Sequence, residues 1–233
     1  MSLASILEEL RNFETALLAD TISYIDPTPA HEFYLGGSVR SVTPSLGPTV
    51  GVAVPCEIDS SSPGGTPDVE EYWRQVEEIS HMKEPAVWVV KCVGSRPDHE
   101  CVLGDGMAKT LFAAGCIGVV TDGGVRDVNG LLSIPFAAYS KGVTIHHCAL
   151  RFRNINRPVE VGGVTIHPGD VMHGDCEGVI RVPSGCLEIL ASKAVQMRGF
   201  ESEAHCVLRR SDVAPGEKRR RVASLLEKYR FAK

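Results

Sequence analysis

Two short segments bring together residue types that can do chemistry. Gly104-Asp105-Gly106-Met107 opens an apolar pattern of helical period, and Asp122-Gly123-Gly124-Val125-Arg126-Asp127 follows a short apolar run. The first N–H groups of a helix have no partner within it, so the first segment offers an anion site for a carboxylate or phosphate. Its glycines let a ligand approach the main chain. The second segment sets a guanidinium beside a carboxylate after a sharp turn. Arg126 can clamp an oxyanion in a forked geometry, and Asp127 is a hard oxygen ligand for a cation such as Mg2+. The same residues would also serve as a capped helix with a structural Arg–Asp pair, and spacing alone leaves both readings open.

Other signatures fail on single residues. A dinucleotide fingerprint begun at Gly104 needs a glycine at 109, where Lys109 stands; a phosphate-binding GxxxxGK loop needs glycines at Leu103 and Ala108. NAD and ATP are therefore not expected as cofactors. His146-His147-Cys148 is a poor zinc site, because adjacent strand residues point to opposite faces. The eight cysteines form no C-x-x-C pair and several lie in apolar runs, as in a protein of the reducing cytoplasm.

The elements that must hold these loops follow from periodicity. Leu3, Ile6, Leu7, Leu10, Phe13 and Leu17 predict a helix over 3–18. Strand-like runs at 38–43 and 49–54 flank a Pro-Ser-Leu-Gly-Pro turn, Asp68 caps a helix reaching about Met82, and 86–93 reads as a buried strand. A short helix over 105–115, a strand at 117–121, a turn at 122–124 and a strand at 135–139 follow. The pattern then turns to β at 158–161, 164–166, 171–173 and 179–182. A long helix from Cys186 to about Val207 and a tail helix over 217–231 complete the chain. The mixture lacks the strict alternation of a doubly wound sheet and predicts a layered α/β fold.

With 233 residues, 43% hydrophobic and 23% charged, the chain has the material for one large domain. Neither a membrane span nor a signal peptide is expected. The net charge of −5 is uneven: residues 209–233 carry nine Lys and Arg against three Asp and Glu, while the preceding 208 carry 15 against 26. We read 1–208 as the domain and 209–233 as a basic helical tail. Lys218–Arg221 is only four residues long and has no interleaved aromatics, so nucleic acid is not expected as a partner.

The spacing of Asp105 from Arg126-Asp127 resembles the D-x20-R-D signature of the 4-hydroxy-4-methyl-2-oxoglutarate aldolase family, which also contains the regulator of ribonuclease activity A. GDGMAKTLFAAGCIGVVTDGGVRDV resembles the central block of that family, and RPVEVGGVTIHPGDVMHGDCEGVIRVP its C-terminal β block. The resemblance implies a β/β/α sandwich of the swivelling-domain type, assembled as a homotrimer or homohexamer with the site between subunits. It implies a lyase that cleaves 4-hydroxy-2-keto acids to pyruvate through an enolate and also decarboxylates oxaloacetate. In that pattern Gly104, Asp105, Gly106 and Met107 bind the pyruvate carboxylate, Arg126 binds the keto oxygen, and Asp105 positions the acid–base water. Asp127 anchors Mg2+ or Mn2+ largely through water, helped by Glu201 from a neighbouring subunit, with Glu203 as the fallback. Lys109, one turn beyond Asp105, is an alternative Schiff-base residue, but nothing near it in sequence clearly activates it. Asp98, His99 and Glu100 depart from the pattern and are expected to reshape the distal part of the substrate pocket. The alternative function is that of a non-catalytic binding regulator.

Overall fold

The computed structural model describes residues 1–146 and 149–232. The chain opens with two helices, α1 (Leu3–Leu10) and α2 (Thr15–Ile25), where periodicity predicts one. The break has a local cause. Asn12 turns its amide back onto the Glu8 and Glu9 carbonyls at 3.3 and 3.1 Å, so its side chain competes with helix continuation. Glu14 is extended, and the Thr15 N–H donates to Asp175 at 2.8 Å.

The central part runs β1 (Arg40–Ser41), β2 (Thr49–Asp59), α3 (Val69–Ser80), β3 (Ala86–Cys92), β4 (Cys101–Leu103), α4 (Asp105–Ala113), β5 (Cys116–Thr121), β6 (Gly124–Val125), α5 (Val128–Ser133), β7 (Ala137–Ser140) and β8 (Gly142–Val143). Then come β9 (Arg151–Arg153), β10 (Val159–Val161), β11 (Val164–Ile166), β12 (Val171–Gly174), β13 (Val179–Val182), α6 (Leu187–Leu208) and α7 (Pro215–Lys228). The main sheet has the order β1-β7-β5-β3-β2-β12-β13. Its centre, β7-β5-β3-β2, is parallel, and β1, β12 and β13 pair antiparallel. The end of β2 also pairs antiparallel with β9.

Successive residues of the central strands serve opposite layers. Trp88, Val90, Val119 and Ala138 pack against Tyr72, Ile79, Leu111 and Leu131 of the three crossover helices. Val87, Val89, Val120 and Ala137 pack against Val159, Val161, Val164 and Ile166 of the β10–β11 hairpin. Helices on one face and a β layer on the other make the fold a β/β/α sandwich, not a doubly wound sheet. Burial on both faces is why these strands read as continuous apolar runs. A further core joins α1, α2 and α6 to Val50, Val52, Val171, Ile180 and Val182.

The crossovers out of β3, β5 and β7 each hold a short strand, and β4, β6 and β8 pair in parallel as a small second sheet. Gly124 therefore belongs to a strand, not only to a turn. At the C-terminus, α7 packs on α6, and Phe231 is buried against Phe200 and Tyr24. Arg220 and Arg221 both pair with Glu217. No helix among the described residues is long and apolar enough to cross a membrane.

Candidate active site

The small parallel sheet brings the two chemistry-bearing loops together. Leu103 of β4 lies opposite Val125 of β6, and the Arg126 N–H donates to the Leu103 carbonyl at 2.9 Å. Gly104-Asp105 then enters α4 while Arg126-Asp127 enters α5 beside it. Asp127 adopts a left-handed conformation, φ 56° and ψ 42°, which aspartate tolerates better than most residues. This turn swings its carboxylate over Gly104. Oδ2 accepts the Asp105 N–H at 3.3 Å and lies 3.4 Å from Arg126 Nε.

Two glycines permit the approach. A Cβ at Gly104 would lie 2.7 Å from Asp127 Oδ2 and 2.8 Å from Arg126 Nε; one at Gly130 would lie 2.5 Å from Asp105 Cβ. Either would push the loops apart. Gly104 brings no side chain to cap α4; the Asp105 N–H goes to Asp127 and the Gly106 N–H to the Asp105 carboxylate, which leaves the first-turn N–H of Met107 to face a ligand.

The electrostatics suit an anion held beside carboxylates. Arg126 and Asp127 keep 32% and 42% of their side-chain surface, so both are within reach of a ligand. Asp105 accepts a 2.5 Å hydrogen bond from Lys109 Nζ, and this bond holds its carboxyl below the ordinary value. Lys109 is therefore engaged with Asp105. Its position one turn beyond Asp105 is the signal from which this pairing could have been read. Asp105, Asp127, Val128, Asn129 and Gly130 line a shallow recess open to solvent. A narrower recess between Gly104, Met107, Arg126 and Leu150 adjoins it.

The donor set fits a hard divalent cation. Among the described residues no three His, Cys, Asp or Glu side chains cluster as a metal site. The recess does present the carboxylates of Asp127 and Asp105 and no soft ligand, the pattern of Mg2+ or Mn2+ taking most of its shell from water and substrate. Glu201 lies on α6, and burial raises its carboxyl pKa, with Asp20 and Glu14 adding to the rise. Glu203 is already paired with Lys228 and Tyr229. Neither touches the loops of its own chain in any described contact. The His146-His147-Cys148 stretch falls partly outside the described residues.

One expectation about the distal pocket is corrected. Glu100 turns into the protein, fully buried, and accepts from the Ser60 N–H at 2.9 Å, Ser61 Oγ at 3.1 Å and the Gly94 N–H at 3.2 Å. Asp98 pairs with Lys141 on the surface at 2.7 Å. Glu100 therefore belongs to the scaffold under β4.

Comparison with known proteins agrees with this architecture. A family model described as RraA-like, Aldolase/RraA, matches residues 15–181. A Halalkalibacterium halodurans protein named "Putative 4-hydroxy-4-methyl-2-oxoglutarate aldolase" is 41% identical over 90 residues, 38% of this chain and 41% of that protein. The match thus spans less than half of that curated relative. Among solved structures, a chain described as one of "novel cellulases from microbes associated with the gut ecosystem" superposes with a TM-score of 0.72 at 20% identity, covering 87% of this chain and 88% of that one. Streptomyces coelicolor RraAS2, described as an unusual member of the RNase ES inhibitor RraA family, superposes with a TM-score of 0.68 at 21% identity, covering 88% and 97%. At such identities these structures carry the fold alone.

Proposed function

The chain belongs to the RraA-like family, and from that premise we propose that it is a divalent-metal-dependent aldolase. It cleaves 4-hydroxy-2-keto acids, such as 4-hydroxy-4-methyl-2-oxoglutarate, to pyruvate and decarboxylates oxaloacetate at the same site. One observation carries the reading: the β4–β6 pairing sets the first turn of α4, an accessible guanidinium and two carboxylates side by side at two neighbouring recesses.

Retro-aldol cleavage breaks the C3–C4 bond, sends its electron pair toward the 2-keto oxygen and removes a proton from the C4 hydroxyl. The first turn of α4 holds the C1 carboxylate. Arg126 faces the keto oxygen, where negative charge develops, and its fixed charge is worth more there than a mobile solvent dipole. Asp105, kept ionised by Lys109, takes the hydroxyl proton through a water molecule. That proton later reaches C3 and gives pyruvate. Asp127, with Glu201 from a neighbouring subunit in a trimer or hexamer, would hold Mg2+ or Mn2+. When bound, the ion supplies a second positive charge beside the keto oxygen. Lys109 is tied to Asp105 and has no described contact that would activate it as a Schiff-base nucleophile.

The test is pyruvate release from oxaloacetate and from 4-hydroxy-4-methyl-2-oxoglutarate, with Mg2+ and with chelator. Release from both, abolished by chelator and by Asp127→Ala, is expected. No release from either substrate would overturn the aldolase and favour a binding regulator.

A further inference from the structure

We propose that, among the 4-hydroxy-2-keto acids this site cleaves, the chain prefers those whose C4 substituent is an aryl or bulky apolar group over those, such as 4-hydroxy-4-methyl-2-oxoglutarate, with a second carboxylate. The inference rests on the aldolase reading for the pyruvate half and concerns the other half. The narrow recess at Gly104 and Arg126 is also lined by Met107 and Leu150. The same two side chains line a larger pocket of about 260 Å3, completed by Val69, Tyr72, Trp73 and Phe152. An engineered apolar cavity of about 150 Å3 holds a benzene molecule, so this pocket has room for a ring. Met107 and Leu150 thus form the wall between the two recesses, and a ligand with its carboxylate at the α4 N-terminus and its keto oxygen at Arg126 would reach the larger one by displacing the flexible Met107 side chain.

The pocket wall is built for a ring. Trp73 and Val69 keep 50% and 55% exposure although large and apolar, while Tyr72 and Phe152 behind them are buried. Tyr72 packs edge-on against Trp73 at 5.4 Å and at a tilt against Phe152 at 6.0 Å. Its hydroxyl donates to the Met107 carbonyl at 3.1 Å, tying the aromatic wall to the first turn of α4.

A distal carboxylate, by contrast, has no described partner here. Asp68 is the charged residue lining the pocket, and it caps α3 by accepting the Glu71 N–H. The described Lys and Arg flanking the lining residues are paired elsewhere: Arg74 with Glu71, Lys109 with Asp105, and Arg151 and Arg153 with Asp59. A second anion would be desolvated beside Asp68 without compensation.

Binding of two uncleavable ligands decides the matter without turnover. 4-Phenyl-2-oxobutanoate and 2-oxoglutarate share the 2-keto acid head, differ at the far end and lack the C4 hydroxyl. Titration calorimetry of the full chain with Mg2+ should show the phenyl compound binding about tenfold or more tighter. Trp73→Ala, at a half-exposed site, should erase most of that ratio and leave pyruvate affinity unchanged. Val69→Arg should shift the ratio toward 2-oxoglutarate. Equal or tighter binding of 2-oxoglutarate to the unmodified chain, a ratio untouched by Trp73→Ala, or binding of neither ligand would overturn the proposal. Failure of the aldolase reading shows separately, as absent pyruvate release from oxaloacetate, and leaves the binding ratio readable.

Discussion

Two clusters of carboxylates lie beside glycine loops at strand ends of this fold, and they are built in opposite ways. In the first, Asp59 ends β2 and Glu100 precedes β4. Asp59 accepts from the Ser61 and Ser62 N–H groups and from Arg151 and Arg153, and Glu100 from Ser60, Ser61 and Gly94. Burial pushes the Asp59 carboxyl up, and the bonds from Ser62 and Arg151 outweigh it, holding it below the ordinary value. In the second cluster, Asp105, Arg126 and Asp127 are part-exposed: Asp105 takes Lys109 and the Gly106 N–H, Asp127 takes the Asp105 N–H and Arg126 on one oxygen, and its other oxygen has no described partner. A carboxylate whose oxygens are all engaged inside the protein secures the chain, whereas one left facing a recess can meet a ligand. Both clusters contain Asp or Glu, Arg and Gly, so composition does not distinguish them; saturation does.

The largest expected effect separates the clusters by activity. Arg126→Ala should lower kcat for oxaloacetate decarboxylation by about a hundredfold to a thousandfold while circular dichroism and melting stay near the unmodified protein, since an exposed charge at the transition state is lost. Glu100→Ala should do the reverse. It strands the buried Ser60 N–H and leaves a void, for a loss of about 3 kcal/mol in denaturant unfolding with activity retained in the folded fraction. Lys109→Met probes the partner of Asp105. Without the ammonium the carboxyl titrates at higher pH, so the acid limb of the kcat/KM profile should move up, with a smaller change at neutral pH.

The mildest test lies away from both clusters. His173 is buried between α1 and α2, with Nδ1 at 3.0 Å from Thr15 Oγ1 and Nε2 at 3.2 Å from the Leu10 carbonyl, and Asp175 nearby. Burial lowers its pKa from the ordinary 6.5. The unfolded chain therefore takes up a proton first. Its contribution is fully present above about pH 6.5 and is lost as pH falls below that, by up to about 1.4 kcal/mol per pH unit. His173→Gln should flatten that part of the stability profile, measured by unfolding at pH 5.5 and 7.5.

Much of this is legible in the sequence because long elements and local caps carry their own signals. The buried run at 86–93, the Asp68 cap of α3 and the 105-126-127 spacing each follow from residue type and position. The rest depends on contacts distant in sequence. Strands as short as 124–125 and 142–143 show no period, yet they align the loops of the candidate site. Glu100 reads as a pocket residue until Ser60 and Gly94 arrive beside it. The break after α1 reflects Asn12 and Asp175, 163 residues apart in sequence, both ending the helical pattern.

Exchange of the methyl protons of pyruvate in D2O, followed by NMR, tests the central claim most directly. It reads enolate formation alone and needs no knowledge of the distal substrate. Mg2+-dependent exchange is expected in the unmodified protein and in folded Glu100→Ala, and none above background in Arg126→Ala. Exchange that persists in Arg126→Ala, or is absent from the unmodified protein with Mg2+ present, would contradict that claim.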